Sequence, residues 1–337
     1  MTCSSPGLRR RRSGKGFSYF DTNGRLVRNR DLLNRIRSLV IPPAWEQVWI
    51  CPLAHGHLQA TGLDARGRRQ YRYHPQYRQI RNQTKFHRML DFAAALPEIR
   101  SRVRRALNRQ NLSREKVIAT VVMLLETTFI RVGNEEYAKE NSSYGLTTLR
   151  DRHVKIHGNT LRFHFRGKSG QMHDVSIEDR RLARIVRECR DLPGYELFQY
   201  ADEFGELHAL DSSDVNAWLH EVSGEDFSAK DFRTWAGTVQ AAQALAEIGP
   251  FTSDTEAKRN IVEAVKRTAE RLGNRPATCR KYYVHPAIMD AYLDGSLIES
   301  LGCASESTTP PSSAELHPEE KCIVKIIAKQ AKAAAIP

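Results

Sequence analysis

The hydrophobic pattern changes period once, near Pro97, and that change limits the chain to two kinds of structure in series. Before it, apolar residues alternate over short runs broken by turns. Glu46–Cys51, His57–Thr61 and Arg69–Tyr73 read as strands, and Asp64–Gly67 as a turn. Asp31–Leu39 is a short amphipathic helix among them, stopped by Pro42-Pro43. Residues 76–93 read as a helix leading out of this part. Beyond Pro97 the periods lengthen, and residues 113–129, 179–190, 211–222, 228–246, 253–272 and 286–294 carry helical spacing. Val154–His157, Thr160–Phe165 and Met172–Ile177 alternate between glycine turns, which predicts a three-stranded antiparallel meander. The expected class is α+β. A β-rich domain over 17–93 precedes a mainly helical domain over 94–302. Around them lie a disordered basic arm over 1–16, a Ser/Thr/Pro linker over 303–318 and a helical tail over 319–337.

Charge follows the same division. The net charge is +13, and residues 1–100 hold 19 Lys+Arg against 6 Asp+Glu, while the remainder holds 33 against 33. A basic part beside a balanced one points to a polyanion partner, nucleic acid by default. No apolar run approaches the roughly 20 residues of a membrane span. Arg9-Arg10-Arg11-Arg12 has no apolar stretch behind it, so no secretory leader is expected. The six cysteines form no Cys-x-x-Cys pair and the histidines do not cluster, so the expectation is a reduced, cytoplasmic protein with no metal and no cofactor.

Within this frame, Leu272–Pro286 places Tyr282-Tyr283 behind three cations, Arg275, Arg280 and Lys281. A phenol with a pKa near 10 is a poor nucleophile at neutral pH, and clustered positive charge favours its phenolate while neutralising a phosphate it attacks. Arg131 follows a long apolar helix and precedes Gly133, a place where a guanidinium can be held against a cleft. Lys168 sits at a hairpin tip in Gly167-Lys168-Ser169. A phosphate-binding loop there would need glycine at position 162, which is arginine. Arg233 stands beside Trp235 on an apolar helix, and a buried arginine needs a partner. On the strand 69–73, Gln70 and Arg72 face one way and Tyr71 and Tyr73 the other, a mixture that suits a DNA groove.

In order, Arg131, Lys168, Arg233, Asn274 and Tyr283 resemble the active-site series of the type IB DNA topoisomerases, in particular the small poxvirus-like bacterial group. The resemblance is carried by Ile41–Trp45, Thr61–Tyr73, Phe129–Tyr137, Gly167-Lys168, Asp231–Trp235 and Cys279–Tyr283. It implies a two-domain clamp whose catalytic domain has the fold shared with tyrosine recombinases. It also implies transient cleavage of one strand of supercoiled duplex DNA through a 3′-phosphotyrosyl link, followed by strand rotation and religation by a monomer, without ATP or metal. Tyr283 would be the nucleophile, with Tyr282 as rival. Arg131 and Arg233 would clamp the phosphate, and Lys168 would be the general acid. Asn274 stands where the poxviral enzymes have histidine, and an amide donates a hydrogen bond but not a proton. Gln70, Tyr71, Tyr73 and Tyr137 would touch DNA. A tyrosine recombinase would normally carry His-x-x-Arg on the Arg233 helix, where this chain has Lys230. A DNA-binding protein that has lost catalysis is the other reading.

Overall fold

The structure is a computed structural model that describes residues 5–14, 16–65, 67, 69–305 and 315–334. It divides into two compact units, Met1–Lys85 and Phe86–Pro337.

The first unit is a five-stranded antiparallel sheet of β1 (Leu8–Ser13), β2 (Gly16–Phe20), β3 (Glu46–Ile50), β4 (Leu58–Leu63) and β5 (Arg69–Tyr73), ordered β2-β1-β3-β4-β5. Helix α1 (Arg30–Ser38) is capped by Asn29, whose side chain accepts the Leu32 N–H at 2.9 Å. Its Ile36 packs with Leu8, Val48, Ile50 and Ala60 against one face of the sheet. On the opposite face Trp49, Cys51 and Leu58 form a second cluster with Tyr73. A register shift between Leu58 and Ala60 puts those two residues on opposite faces.

The arm expected over 1–16 is therefore largely a strand in the described residues. Its arginines hide a period of two: Leu8 enters the core, and Arg10 points the same way. Arg10 donates to the carbonyls of Pro42, at 3.0 Å, and Trp45, and lies over the Phe17 ring at 4.1 Å. Residues 1–4 and 15 of that arm lie outside the described residues.

The unit boundary falls inside α2 (Pro75–Leu107), which passes through Pro97 instead of ending before it. Phe92, Ala93 and Leu96 precede the proline and Ile99, Arg100 and Val103 follow it, all buried. Several kilocalories of burial at about 25 cal/mol per Å² outweigh a proline cost of about 3 kcal/mol.

In the second unit α3 (Arg114–Thr128) is buried along most of its length and capped by Ser113. It ends at Phe129, which adopts a left-handed conformation (φ 57°). Next come α4 (Glu135–Asn141) and the meander β6 (Val154–His157), β7 (Thr160–Arg166) and β8 (Met172–Glu178), ordered as expected. Helix α5 (Arg180–Arg190) leads to a small hairpin of β9 (Gln199–Ala201) and β10 (Leu207–Ala209), then to α6 (Ser212–Ser223), α7 (Ala229–Ile248) and α8 (Asp254–Arg271). The short α9 (Pro276–Tyr282) is followed by α10 (Pro286–Leu293), α11 (Ser296–Ser305) and α12 (Pro318–Ala334). In the expected linker, residues 306–314 lie outside the described residues. Within the expected helical tail, α12 buries Ile323 and Ile327 in the main core.

Candidate active site

Four of the five residues of the series meet where α3 ends, α7 begins and α8 hands over to α9. Arg131 is fixed through its backbone. Its carbonyl accepts the Leu146 N–H at 2.8 Å, and Gly145 lies so close that a Cβ there would come within 2.6 Å of the Arg131 oxygen. Its guanidinium donates from Nη2 to Asn274 Oδ1 at 2.5 Å and to the Gly273 carbonyl at 3.4 Å.

Arg233 is buried in the first turns of α7. Its two Nη groups donate to carbonyls at helix ends instead of to carboxylates. One goes to the Phe129 carbonyl, where α3 turns left-handed, and the other to the Leu272 carbonyl at the end of α8, at 2.7 Å. The guanidinium carbon sits 5.5 Å from the centre of the Tyr283 ring.

Among the described residues, three donors in this cluster are buried without an acceptor: Arg131 Nη1, Arg233 Nε and Asn274 Nδ2. Leaving such groups unmet costs about 1–3 kcal/mol each. Burial lowers the pKa of both arginines. The neighbouring Arg131 charge lowers that of Arg233 further, and Tyr283 works against this through charge and a hydrogen bond. Both guanidiniums stay protonated at neutral pH. A half-buried and a buried guanidinium with spare donors, and no carboxylate among the groups that shift them, form a receptor for an anion with several oxygens.

Tyr283 caps the C-terminus of α9, with its N–H bonded to the Cys279 carbonyl at 2.8 Å. It rests on α7. A Cβ added at Gly237 would fall 2.6 Å from the Tyr283 carbonyl oxygen and 2.8 Å from its Cβ. The Thr238 hydroxyl lies 3.2 Å from the same carbonyl and accepts the His285 N–H at 3.1 Å. Tyr282 points elsewhere: it is exposed, with Lys281 Nζ 5.5 Å from its ring centre.

Lys168 is not gathered with the others. It is exposed at the tip between β7 and β8, with its Nζ 6.0 Å from the ring centre of the exposed Tyr137 on α4. Tip residues Ser169 and Gly170 both have positive φ (64° and 77°). In the first unit Tyr71 is exposed and stacks on Tyr73 at 6.0 Å, while Gln70 donates to Asp64 Oδ2 at 2.9 Å.

Sequence reasoning missed His173, the β8 residue paired with Phe165. The two rings stack 5.0 Å apart. The imidazole fills the space left by two glycines. A Cβ on Gly167 would come within 2.6 Å of its Cδ2, and one on Gly273 within 2.5 Å of its Cε1. It thus joins the base of the Lys168 hairpin to the turn bearing Asn274. Burial, then the charges of Arg131 and Arg233, push its pKa down to about 4. One signal was available: alternation places His173 on the same side as Val175 and Ile177, a polar residue on an inward face.

Among the described residues no group of three or more His, Cys, Asp or Glu side chains is placed to hold a metal ion. Two family models match the sequence. Residues 74–299 match the catalytic core of eukaryotic DNA topoisomerase I, and residues 16–64 match the N-terminal domain of bacterial DNA topoisomerase IB. The chain is 35% identical to DNA topoisomerase 1B of Acanthamoeba polyphaga mimivirus over 85% of its own length and 87% of the viral protein's. It is 25% identical to DNA topoisomerase 1B of Vaccinia virus (strain Copenhagen) over 76% and 78% of the two chains. It is 26% identical to DNA topoisomerase 1 of Rabbit fibroma virus (strain Kasza) over 72% and 74%.

Proposed function

The chain belongs to the type IB DNA topoisomerases, and from that premise we propose how its own residues carry the reaction on supercoiled duplex DNA. The carrying observation is the set of three unmet buried donors beside Tyr283. A backbone phosphate supplies the missing acceptors, its nonbridging oxygens taking Arg131 Nη1, Arg233 Nε and Asn274 Nδ2. The Tyr283 phenol gives up its proton to solvent as its oxygen engages the phosphate held by the two guanidiniums. The phenolate attacks phosphorus, a P–O bond to tyrosine forms, and the bond to the 5′ oxygen breaks. Lys168 protonates that leaving oxygen. This requires the hairpin tip to swing away from Tyr137, a movement consistent with the positive-φ pair at its apex. Because the phosphodiester energy is kept in the 3′-phosphotyrosyl link, the 5′-hydroxyl strand can rotate about the intact strand and reattack without ATP or metal. All of these groups come from one chain, which favours a monomer, and we place its work in the cytoplasm.

The test is relaxation of supercoiled plasmid in EDTA without ATP, with a denaturant quench to trap protein-linked DNA. Wild type and Tyr282→Phe are expected to give relaxed ladders and a 3′-linked adduct, and Tyr283→Phe neither. An adduct from Tyr283→Phe but not from Tyr282→Phe would transfer the nucleophile to Tyr282. Arg131→Ala and Arg233→Ala are each expected to slow cleavage by at least about 10²-fold, the scale of a lost preorganised donor. Binding by wild type without relaxation would remove the reading altogether.

A further inference from the structure

We infer that strand β1 is a phosphate-binding part of the DNA surface, with Arg9 and Arg11 gripping the backbone at the rim of the groove that Tyr71 and Tyr73 enter. This rests on the reading of those tyrosines as DNA contacts and extends it to residues outside both matched family segments.

The register carries the argument. Arg9 pairs with Phe20 on one side and Trp49 on the other, Trp49 pairs with Thr61, and Thr61 with Tyr71. Directly paired residues project from the same face of a sheet. Phe20, Arg9, Trp49, Thr61 and Tyr71 therefore form one row on the face opposite α1. Arg11, two residues on from Arg9, shares that face, as does Tyr73, two residues on from Tyr71. Arg9, Arg11 and Tyr71 are all exposed. The Arg11 guanidinium is oriented by the Phe20 ring, 4.8 Å from its centre.

Alternation sends the other half of the strand elsewhere. Leu8 and Arg10 point toward α1 and the 41–45 segment, so β1 is pinned from behind while its front presents charge. Arg12, also exposed, belongs to that rear set.

Spacing fixes the kind of contact. Three strand-to-strand steps of about 4.8 Å put Arg9 about 14 Å from Tyr71 along the row. The major groove is about 12 Å wide. An aromatic residue set against one wall of the groove thus leaves a cation three strands away level with the phosphates of the opposite wall. Arginines held on a strand also lose less freedom on binding than arginines on a disordered arm. Arg9, Arg10, Arg11 and Arg12, read as a solubility charge, would show no difference between the two faces.

The experiment uses the full chain carrying Tyr283→Phe, so that binding is read without cleavage, and measures duplex affinity across a salt series. Each phosphate contact contributes about 0.9 to the slope of log K against log salt. The Arg9→Ala/Arg11→Ala variant should bind all duplex sequences more weakly, with a slope shallower by about 1.8. Arg12→Ala should leave the slope unchanged, and Arg9→Lys/Arg11→Lys should restore it. Thermal melts matching the parent would place the effect at the surface instead of in the fold. An unchanged slope for the double alanine variant, with binding weakened by Tyr71→Ala, would overturn the inference alone. An equal loss from Arg12→Ala would overturn it as well, in favour of diffuse charge. Tyr71→Ala binding as tightly as the parent would remove the groove reading and this inference with it.

Discussion

His173 shows how a side chain outside the proposed phosphate contacts can position the groups assigned to them. Its ring occupies the volumes of two missing Cβ atoms, at Gly167 and Gly273, and so sets the distance between the hairpin of Lys168 and the turn of Asn274. It stays neutral because burial and two guanidinium groups oppose its proton, and His153 is likewise held to about 4 by burial and by Arg152 and Arg150. In the unfolded chain both imidazoles titrate near 6.5. Between about pH 6.5 and about pH 4 the unfolded chain therefore takes up protons that the folded chain refuses, and stability falls as pH falls. The expected loss is at most about 1.4 kcal/mol per pH unit for each imidazole, with no contribution above pH 6.5. Urea denaturation at about pH 7 and about pH 5 checks this, and His173→Gln should flatten the dependence. The arginines and the tyrosine pair stood out in the sequence because cations on apolar helices and phenols among cations draw attention by residue type alone. His173 did not, because its role lies in which glycines it meets, and one of them, Gly273, is a hundred positions away.

At the scale of elements, α7 does two jobs with one turn of helix. Arg233 reaches back to the Phe129 and Leu272 carbonyls, and one turn later Gly237 lets the Tyr283 backbone lie against the helix. Gly237→Ala would normally favour a helix by about 1 kcal/mol. Here its methyl group would meet the Tyr283 carbonyl oxygen at 2.6 Å, so the corner must shift. The expected outcome is duplex binding close to wild type with cleavage slowed about 10²-fold, the penalty for roughly 1 Å of misplacement at a reacting group. Single-turnover cleavage beside a binding isotherm separates the two. Elements were also where composition misled. Arg9-Arg10-Arg11-Arg12 has the look of an unstructured run, yet a single leucine ahead of it and the Phe17 and Phe20 rings on its partner strand make it a paired β-strand. Pro97 likewise marked a boundary that the helix crosses, because burial on both sides outweighs one broken turn.

Across the second unit, widely separated parts of the chain close on one buried carboxylate. Glu320 on α12 accepts both Nη groups of Arg100 on α2, at 2.8 and 2.9 Å, the indole N–H of Trp235 on α7 at 2.8 Å, and the His317 N–H at 2.9 Å. Burial alone would raise its pKa, but Arg100 and Trp235 hold it below the usual range. Glu320→Ala leaves Arg100 with Glu126 as its remaining carboxylate partner among the described residues, and is expected to cost about 3 kcal/mol. Denaturant unfolding measures it, and removal of α12 should be worse still. The sequence marked this segment as a tail because a Lys/Ala-rich helix after a Ser/Thr/Pro stretch carries no sign of what its one buried acid will meet.

The corner at Tyr283 also decides where torque goes. In the proposed covalent link the Tyr283 phenol holds a DNA strand, so any turning of that DNA pulls on a single side chain. The seven residues of α9 would be a weak mooring. The Tyr283 carbonyl and the His285 N–H are instead tied to one hydroxyl on α7, a twenty-residue helix buried along most of its length. The load therefore passes into the core of the unit, and the oxygen that must be displaced at rejoining is kept in place while the strand unwinds.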